Sequence, residues 1–377
     1  MLKTITFLFL QLLITNIYAQ TVSTIIEGSF SDGLAIDSQG NIYGSDWNGN
    51  TVYKYDTTGN VSIFKNGFSN PNGIAANSLD EIYICDHTAN SIYKYDTNAN
   101  LLASYTAGLI TPAGIKRIPN TEDFIIVEYG TFTSSSKIKK LESNGTITTL
   151  YDGAPLNGPA GIAFINNIPY IANFNDRKIF KFENNTLTLI AQLSANGPSN
   201  SNFLGFLSTI GNQLIATQIG ENKIYTINPN NGTITLYAGS IIGDSDGNIN
   251  DATFSAPNGI LGDDINNKIY ISDATTKNLR IIDNAFLSVD EFENTISNIK
   301  LFPNPTADSL HIKIDTLKEK KVSISIIDIN GKEVFNKNFY TENSTFNTKI
   351  NTKNYPSGLY TVLITSNKQR VSKKILF

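Results

Sequence analysis

A short turn that ends in glycine recurs six times along the chain, and two strand-like segments follow each copy at a nearly constant distance. The glycines lie 40, 41, 47, 44 and 54 residues apart, and they are Gly33, Gly73, Gly114, Gly161, Gly205 and Gly259. Repeats of this length are typical of the four-stranded blades of a β-propeller. The spacing therefore predicts an all-β fold, a six-bladed β-propeller.

The last repeat is incomplete, and its missing part lies at the other end of the chain. Five repeats contain a fourth strand after a Gly/Asn turn, whereas the pattern stops at Asp283 in the sixth. Residues 21–28 read like the fourth strand at 60–67. We therefore expect the N-terminal strand to pair into the last blade and to close the ring, which removes two free sheet edges.

The first residues have the pattern of a secretory signal peptide. Lys3 precedes an apolar run at 5–14, and Ala19 offers a small residue at a cleavage point. The run is too short to span a membrane as a helix, and we expect no transmembrane segment in the mature chain. The sequence thus predicts a signal peptide (1–19), a propeller (20–283), a linker (284–299) and a small C-terminal β-sandwich (300–377).

Charge is unevenly distributed between the two predicted domains. Residues 300–377 carry 13 basic and 6 acidic side chains. Subtracting these from the chain totals of 29 and 33 leaves 16 basic and 27 acidic residues before residue 300, a net charge of −11. Phosphate binding needs a basic surface, so the composition argues against a nucleic-acid partner and leaves cations, neutral glycans and proteins.

Four short motifs occur in a fixed order in the C-terminal region. They are Phe-Pro-Asn-Pro at 302–305, a turn at 328–334, Tyr-Pro-Ser-Gly-Leu-Tyr at 355–360 and Lys-Lys-Ile at 373–375. In these motifs the region resembles the type A C-terminal sorting domain of type IX secretion substrates from the Bacteroidetes. The resemblance implies Sec-dependent export, recognition by the outer-membrane translocon, and release or attachment at the cell surface. The residues that would carry the sorting signal are Pro303, Asn304, Pro305, Gly331, Gly358, Lys373 and Lys374.

The repeats carry motifs of a known propeller family as well. Pro-Asn-Gly-Ile occurs at 71–74 and at 257–260, and an insertion at 238–257 accounts for the 54-residue step. In these motifs residues 21–283 resemble the NHL-repeat propellers and, more distantly, the six-bladed gluconolactonase and regucalcin (SMP-30) family. In such propellers the loops into the first strand and the loops between the second and third strands share one face. The resemblance therefore implies a binding surface at that mouth of the channel.

Two rings of residues are expected at this mouth. The first ring is the residue before each repeat glycine, and its polar members Asp32, Asn72 and Asn258 come from neighbouring blades of the closed ring. The second ring lies at the end of the second strand of each repeat, where aromatic side chains could stack on sugars. Its candidate binding residues are Asp46, Trp47, Asp86, His87, Glu128, Tyr129, Asn173, Phe174 and Asp273.

The polar sector of the mouth suggests a metal site. Carboxylate and amide oxygens suit a hard cation, so Asp32, Asn72 and Asn258 are candidate ligands for Ca²⁺ or Mg²⁺. The gluconolactonase-like family holds its metal partly through an Asp and an Asn before such a glycine, but its glutamate in a Trp-Glu context has no match here. Asn and Asp also precede glycine as turn formers, and this alternative stays open. An acidic loop at 244–251 has part of a calcium-loop pattern but lacks the glutamate at position 12.

Three functions from different classes follow from these features. The first is a secreted binding module for protein or glycan at the channel mouth. The second is a divalent-metal-dependent lactonase or related hydrolase, in which the cation polarises a carbonyl group. The third is a scaffold whose propeller only packs. The chain has two histidines, His87 and His311, which gives a Ser-His-Asp triad little support, and no catalytic residue is assigned.

Overall fold

The computed structural model describes residues 20–194, 202–285, 296–306, 308–317, 321–329, 332–340, 345–366 and 369–377. Within these ranges the chain forms β-strands and one short 3-10 helix, Ile219–Glu221. The chain divides into two compact units, with the boundary between residues 288 and 289. The predicted signal peptide, residues 286–295 of the predicted linker and the sorting-signal residue Gly331 lie outside the described residues.

The first unit consists of six antiparallel sheets. Its strands are β1 (Thr21–Ile26), β2 (Leu34–Ile36), β3 (Ile42–Asp46), β4 (Thr51–Tyr55), β5 (Val61–Asn66), β6 (Pro71–Ala76), β7 (Ile82–Asp86), β8 (Ser91–Tyr95), β9 (Leu101–Tyr105), β10 (Pro112–Arg117), β11 (Phe124–Glu128), β12 (Lys137–Leu141), β13 (Ile147–Asp152), β14 (Pro159–Ile165), β15 (Ile168–Asn173), β16 (Lys178–Glu183), β17 (Thr186–Gln192), β18 (Leu204–Ile210), β19 (Gln213–Gln218), β20 (Lys223–Ile227), β21 (Ile234–Ala238), β22 (Gly247–Asn248), β23 (Pro257–Asp263), β24 (Lys268–Asp273) and β25 (Asn278–Asp283).

Five of these sheets contain four strands in chain order. Sheet 1 is β2–β5, sheet 2 is β6–β9, sheet 3 is β10–β13, sheet 4 is β14–β17 and sheet 5 is β18–β21. Sheet 6 has the order β22-β1-β25-β24-β23 and so combines both ends of the unit. The first strands contact one another in a closed cycle, β2 to β6, β10, β14, β18, β23 and back to β2. Repeated four-stranded sheets in such a cycle are the arrangement of a β-propeller.

The repeat glycines lie where neighbouring first strands approach each other most closely. A Cβ atom at Gly33 would lie 2.6 Å from the carbonyl oxygen of Asn72, the residue before the next repeat glycine. At Gly259 the carbonyl oxygen that blocks a side chain is that of Asp32 in sheet 1. Glycine recurs because only a residue without a Cβ fits between the two backbones.

Apolar side chains fill the space between neighbouring sheets. In one such cluster Tyr43 and Phe64 of sheet 1 pack with Ile74, Ile84 and Tyr95 of sheet 2. Corresponding clusters join the other neighbouring pairs. Because side chains alternate along each strand, one sheet contributes to the clusters on both of its faces.

Strand pairing and hydrogen bonds to the Asp246 carboxylate hold the N-terminal strand β1 in sheet 6. It pairs antiparallel with β25, with Val22 opposite Ile282. Asp246 accepts hydrogen bonds from the Thr24 amide and hydroxyl, both at 3.0 Å. The buried Arg280 donates from Nη2 to Asp246 at 2.9 Å. Asp246 belongs to the loop that has part of a calcium-loop pattern. Both of its carboxylate oxygens therefore already accept hydrogen bonds from Thr24 or Arg280.

The second unit is built from two antiparallel sheets. Its strands are β26 (Ile296–Phe302), β27 (Ser309–Leu317), β28 (Lys321–Ile327), β29 (Glu333–Tyr340), β30 (Phe346–Asn351), β31 (Leu359–Ser366) and β32 (Gln369–Leu376). One sheet has the order β26-β27-β30 and the other β29-β28-β31-β32. A single apolar cluster takes Leu310 and Ile312 from the first sheet and Ile324 and Val362 from the second. Each sheet thus buries one face in a shared core.

Three of the sorting motifs meet at the C-terminus of the chain. Asn304 Oδ1 accepts a hydrogen bond from the Leu376 amide at 3.1 Å. Gly358 and Phe377 exchange backbone hydrogen bonds of 2.9 and 3.0 Å. The Phe377 ring stacks on Tyr360, with 4.4 Å between the ring centroids. Residues some seventy positions apart in the sequence therefore form one local structure.

No helix among the described residues is long and apolar enough to cross a membrane.

Candidate functional site

A cavity of about 440 Å³ opens at one mouth of the propeller. Its wall contains one residue per sheet from directly after the second strand, and these are Trp47, His87, Tyr129, Phe174, Ile219 and Ala274. It also contains residues from directly before the repeat glycines, and these are Asp32, Asn72, Ala113, Ala160 and Asn258. Loops from both positions meet on one face because each sheet places the start of its first strand beside the end of its second strand.

Aromatic side chains form a continuous arc along the wall. Trp47 meets His87 edge to face at 5.1 Å between ring centroids, and His87 meets Tyr129 in the same way at 5.8 Å. Tyr129 contacts Phe174 at 6.1 Å, and Phe174 stacks on Phe203 at 4.5 Å. The arc crosses four sheets and reaches a fifth, so each ring is held in place by its neighbours.

The loops that lead into the first strands of sheets 6, 1 and 2 give the cavity a polar sector. Asn258 Nδ2 donates to Asp32 Oδ1 at 2.8 Å, and this bond joins sheet 6 to sheet 1. Asp32 is only 4% exposed, and burial raises the pKa of its carboxyl group to about 8. Asn72 is 8% exposed, and its Oδ1 has no hydrogen-bond partner among the described residues. Hydrogen-bonding capacity is thus left unused in this sector, which is uncommon for buried polar groups.

The ionisable side chains that line the cavity favour their neutral forms near neutral pH. Burial lowers the pKa of the His87 imidazole, although the nearby Asp86 acts in the opposite direction, so the ring is neutral at pH 7. Asp32 is mostly protonated at that pH, because its pKa is about 8. The lining contains neither lysine nor arginine. Such a site suits a neutral ligand better than an anion or a cation.

The other predicted second-ring residues do not line the cavity. They are buried behind it and hold the loops that enter the first strands. Asp86 accepts from the amides of residues 69 and 70 at 2.8 and 3.0 Å, and Glu128 accepts from the amide of residue 110 at 2.7 Å. Asp273 accepts from the amide of residue 255 at 3.1 Å.

The remaining two members of this ring have the same kind of environment. Asp46 accepts from the Ser31 hydroxyl at 3.0 Å and from Lys277 at 2.8 Å. Asn173 Nδ2 donates to the Pro155 carbonyl oxygen at 2.9 Å. A polar residue at the end of the second strand therefore fixes a loop, and the residue after it faces the cavity.

A hard cation at the cavity would depend on the oxygen atoms of the polar sector. The structure brings the candidate ligands Asp32, Asn72 and Asn258 into the lining of one cavity. Ca²⁺ takes six to eight oxygen ligands, usually several of them carboxylates. Asp32 supplies the one carboxylate of the lining, and it already accepts a hydrogen bond from Asn258. Within the described ranges no three His, Cys, Asp or Glu side chains cluster to hold a metal. This donor set does not fit Ca²⁺ or Mg²⁺.

The Asp32→Asn substitution is expected to change how stability depends on pH. The folded state keeps the Asp32 proton up to about pH 8, whereas an unfolded chain releases it near the ordinary aspartate pKa of 3.8. Stability contributed by this group is therefore largest at low pH and falls as the pH rises from about 4 to about 8. Because one pKa unit corresponds to about 1.4 kcal/mol, the neutral Asn should stabilise the protein by a few kcal/mol at pH 8 and hardly at all at pH 4.

Thermal unfolding between pH 4 and pH 9 measures this difference. Asp56→Asn is a matched control, because hydrogen bonds from Thr58 and Asn60 lower the pKa of that exposed carboxyl group. It should lose stability relative to the parent as the pH rises. Parallel melting curves for Asp32→Asn and the parent would show that Asp32 has an ordinary pKa.

Comparison with known proteins identifies the second unit and the fold of the first. Residues 300–377 match the secretion system C-terminal sorting domain family. Domains of this family mark proteins that type IX secretion exports to the cell surface or the extracellular space. The sequence-based prediction of the sorting domain and of the extracellular location is therefore confirmed. None of the curated proteins matches the sequence.

Solved structures resemble the propeller. A gluconolactonase from Xanthomonas campestris is 14% identical, with a TM-score of 0.55, over 70% of this chain and 89% of that chain. An auxiliary nutrient binding protein from Bacteroides thetaiotaomicron is 16% identical, with a TM-score of 0.59, over 70% and 76%. A streptogramin B lyase is 16% identical, with a TM-score of 0.50, over 95% and 98%. Enzymes and a binding protein share this fold, so the likeness shows the fold and leaves the activity to the site.

Sequence reasoning missed part of the cavity wall. Phe206, Ile219 and Ala274 line it but are apolar, so a search for polar mouth residues passes over them. Ile219 and Ala274 occupy the position that Trp47 occupies in sheet 1, one residue after the second strand. The equivalence to Trp47 could have indicated that Ile219 and Ala274 line the cavity. Nothing in the sequence indicates that Phe206 does so.

Proposed function

We propose that this chain is an exported binding protein whose propeller mouth holds a neutral, hydroxyl-rich ring such as a sugar residue. The observation that supports the proposal is one cavity whose lining combines an aromatic arc, a polar sector and neither lysine nor arginine. Its volume of about 440 Å³ lies within the range of small-molecule sites, about 300–1,000 Å³.

The chemistry of a sugar matches both the aromatic and the polar residues of the cavity lining. The C–H faces of a pyranose ring are apolar and pack against aromatic side chains such as Trp47 and Tyr129. Its hydroxyl groups both donate and accept hydrogen bonds. A protonated Asp32, the Asn72 and Asn258 amides and the neutral His87 imidazole also offer donors and acceptors.

The domain plan predicted from the sequence is part of this proposal. We infer that the six sheets are six blades, closed by β1, and that the two sheets of the second unit form a β-sandwich. Residues 1–19 would be the signal peptide, 20–283 the propeller, 284–299 the linker and 300–377 the sorting domain, with the secretion translocon as its partner. The cyclic contacts of the first strands and the shared core of the second unit support this plan.

The other two functions have less support from the site. A metal-dependent lactonase needs a cation, and the oxygen donors around Asp32 do not fit one. A scaffold that only packs has no use for a cavity with unused hydrogen-bonding groups, because such groups cost stability.

Fluorescence of Trp47 provides a direct test, because the chain contains one tryptophan and it lines the cavity. Titration of the purified protein with neutral monosaccharides, their methyl glycosides and oligosaccharides should change this fluorescence in a saturable way. Tyr129→Ala should weaken binding roughly two- to tenfold, since an aromatic contact contributes about 0.5–1.5 kcal/mol.

Phe132→Ala is the matched control for Tyr129→Ala. Phe132 lies in the same loop, between β11 and β12, but its side chain is fully exposed and does not line the cavity. Its substitution should leave binding unchanged. A panel in which no neutral sugar alters Trp47 fluorescence, or equal effects of the two substitutions, would contradict the proposal, and binding of a peptide instead would replace it.

A further inference from the structure

We propose, resting on the function proposed above, that the cavity recognises the terminal residue of a glycan, which enters end-on, and that the rest of the glycan leaves over Ala274. The observations that carry this inference are the narrow space beyond the cavity, the burial of its polar groups and the small side chain at position 274.

The floor blocks passage along the channel. Phe206 lines both the mouth cavity and a second space beneath it. That second space measures about 20 Å³ and is bounded by first-strand residues that include Leu34, Ile74 and Ile260. A volume of this size holds about one water molecule. A sugar chain therefore cannot thread through the propeller, and whatever enters the mouth must do so by an end.

The polar groups that line the blind cavity are buried. Asp32 and Asn72 belong to the loops that lead into the first strands, and they are only 4% and 8% exposed. A ligand hydroxyl that reaches these groups must enter the cavity itself. An internal residue of a glycan carries a neighbour on both sides, and a blind cavity has room for a neighbour on one side only.

The side chain directly after the second strand is much smaller in sheet 6 than in the other five sheets. The position directly after the second strand holds Trp47, His87, Tyr129, Phe174 and Ile219 in sheets 1–5 but Ala274 in sheet 6. The side chain at this position is therefore a single methyl group in sheet 6 and a much larger group in the other five sheets. Ala274 is partly exposed, and it lies in the sheet that contributes Asn258 and next to the sheet that contributes Asp32, so we place the exit of the glycan at this position.

Oligosaccharides of increasing length test the end-on arrangement. The probes are malto-, cello-, xylo- and manno-oligosaccharides of two to six units, with the matching methyl glycosides, and the readout is Trp47 fluorescence of the full chain. In a series that binds, the affinity should stop increasing after the second unit. Chemical blocking of one chain end should abolish binding, and blocking of the other end should not. Affinity that keeps rising up to six units, or binding that survives blocking of each end, would overturn the inference.

Ala274→Phe tests the exit. Ala274 is half-exposed in a loop, so the larger side chain can be accommodated without disturbing the core. The substitution should weaken binding of the disaccharide at least tenfold while changing that of the free monosaccharide less than threefold. Thr275→Phe, at an exposed neighbour that does not line the cavity, is the control and should change neither. Equal losses for both ligands, or no loss, would contradict an exit over Ala274.

The two levels of the proposal fail in different ways. Fluorescence that responds to no sugar at all contradicts the proposed function and, with it, the end-on arrangement. Fluorescence that responds to sugars without the length, end or Ala274 effects contradicts the end-on arrangement alone.

Discussion

A chain that ends at residue 299 is expected to fold its propeller and yet to be absent from the cell surface and the culture medium. The propeller is a compact unit by itself, and the sorting domain of residues 300–377 is what marks the protein for type IX export. The truncated protein should accumulate in the periplasm of a strain with an intact secretion system. Immunoblots of the periplasmic, surface and medium fractions measure the distribution, and resistance of the retained protein to protease shows that it is folded.

A shorter truncation locates the requirement within the sorting domain. Removal of residues 373–377 breaks the hydrogen bonds of Asn304 and Gly358 to the C-terminus and removes the Phe377 ring from Tyr360. Export should again be lost, because the motifs no longer meet. Tyr340→Ala changes an exposed residue of β29 and is the control that should still be exported. Normal export of the chain that ends at residue 299 would show that the sorting domain is not needed.

Deletion of residues 20–28 is expected to yield insoluble or strongly destabilised protein. The deletion removes β1 from sheet 6, so β25 becomes a free edge on one side of the ring. It also removes the Thr24 groups that bind Asp246. Soluble yield and thermal unfolding measure the effect. A deletion variant that melts at the same temperature as the parent would refute the closing role of β1.

Two point variants separate the packing of β1 from mere shortening of the chain. Val22 is 1% exposed and packs in the cluster that includes Phe254 and Ile282. Val22→Asp buries an unpaired carboxylate there and should cost about 3 kcal/mol or more. Ser23→Asp places the same charge on the half-exposed side of the strand and should cost much less. Equal melting temperatures for the two variants would argue against a buried β1.

Much of the fold could be predicted because it depends on regular spacing. The repeat glycines mark positions where a Cβ atom would collide with the backbone of the next sheet, so the contact between sheets is visible as a single residue type. The closing role of residues 21–28 could be predicted for a similar reason, since the sixth repeat had no fourth strand. The sorting domain was recognisable because its four motifs are short and keep their order.

The site was predictable only in part. Asp32, Asn72 and Asn258 do share one sector, and Trp47, His87, Tyr129 and Phe174 do line one cavity. Asp86, Glu128 and Asp273 precede cavity residues by one position and yet hold loops instead. In a strand, successive side chains point to opposite sides, so a shift of one residue separates a ligand-facing group from a structural one.

The sequence by itself determined the repeat, the strand order, the closure and the export domain, because each depends on local patterns and on spacing along the chain. Only the tertiary structure decided which polar side chains form hydrogen bonds to loops and which have no partner in the cavity. It also decided that Asp246 accepts hydrogen bonds from Thr24 of β1 and from Arg280 of β25. It also decided that Asp32 is buried enough to keep its proton, with a pKa of about 8. Burial and hydrogen bonding join residues more than two hundred positions apart, and such pairings leave no trace in the spacing of a single sequence.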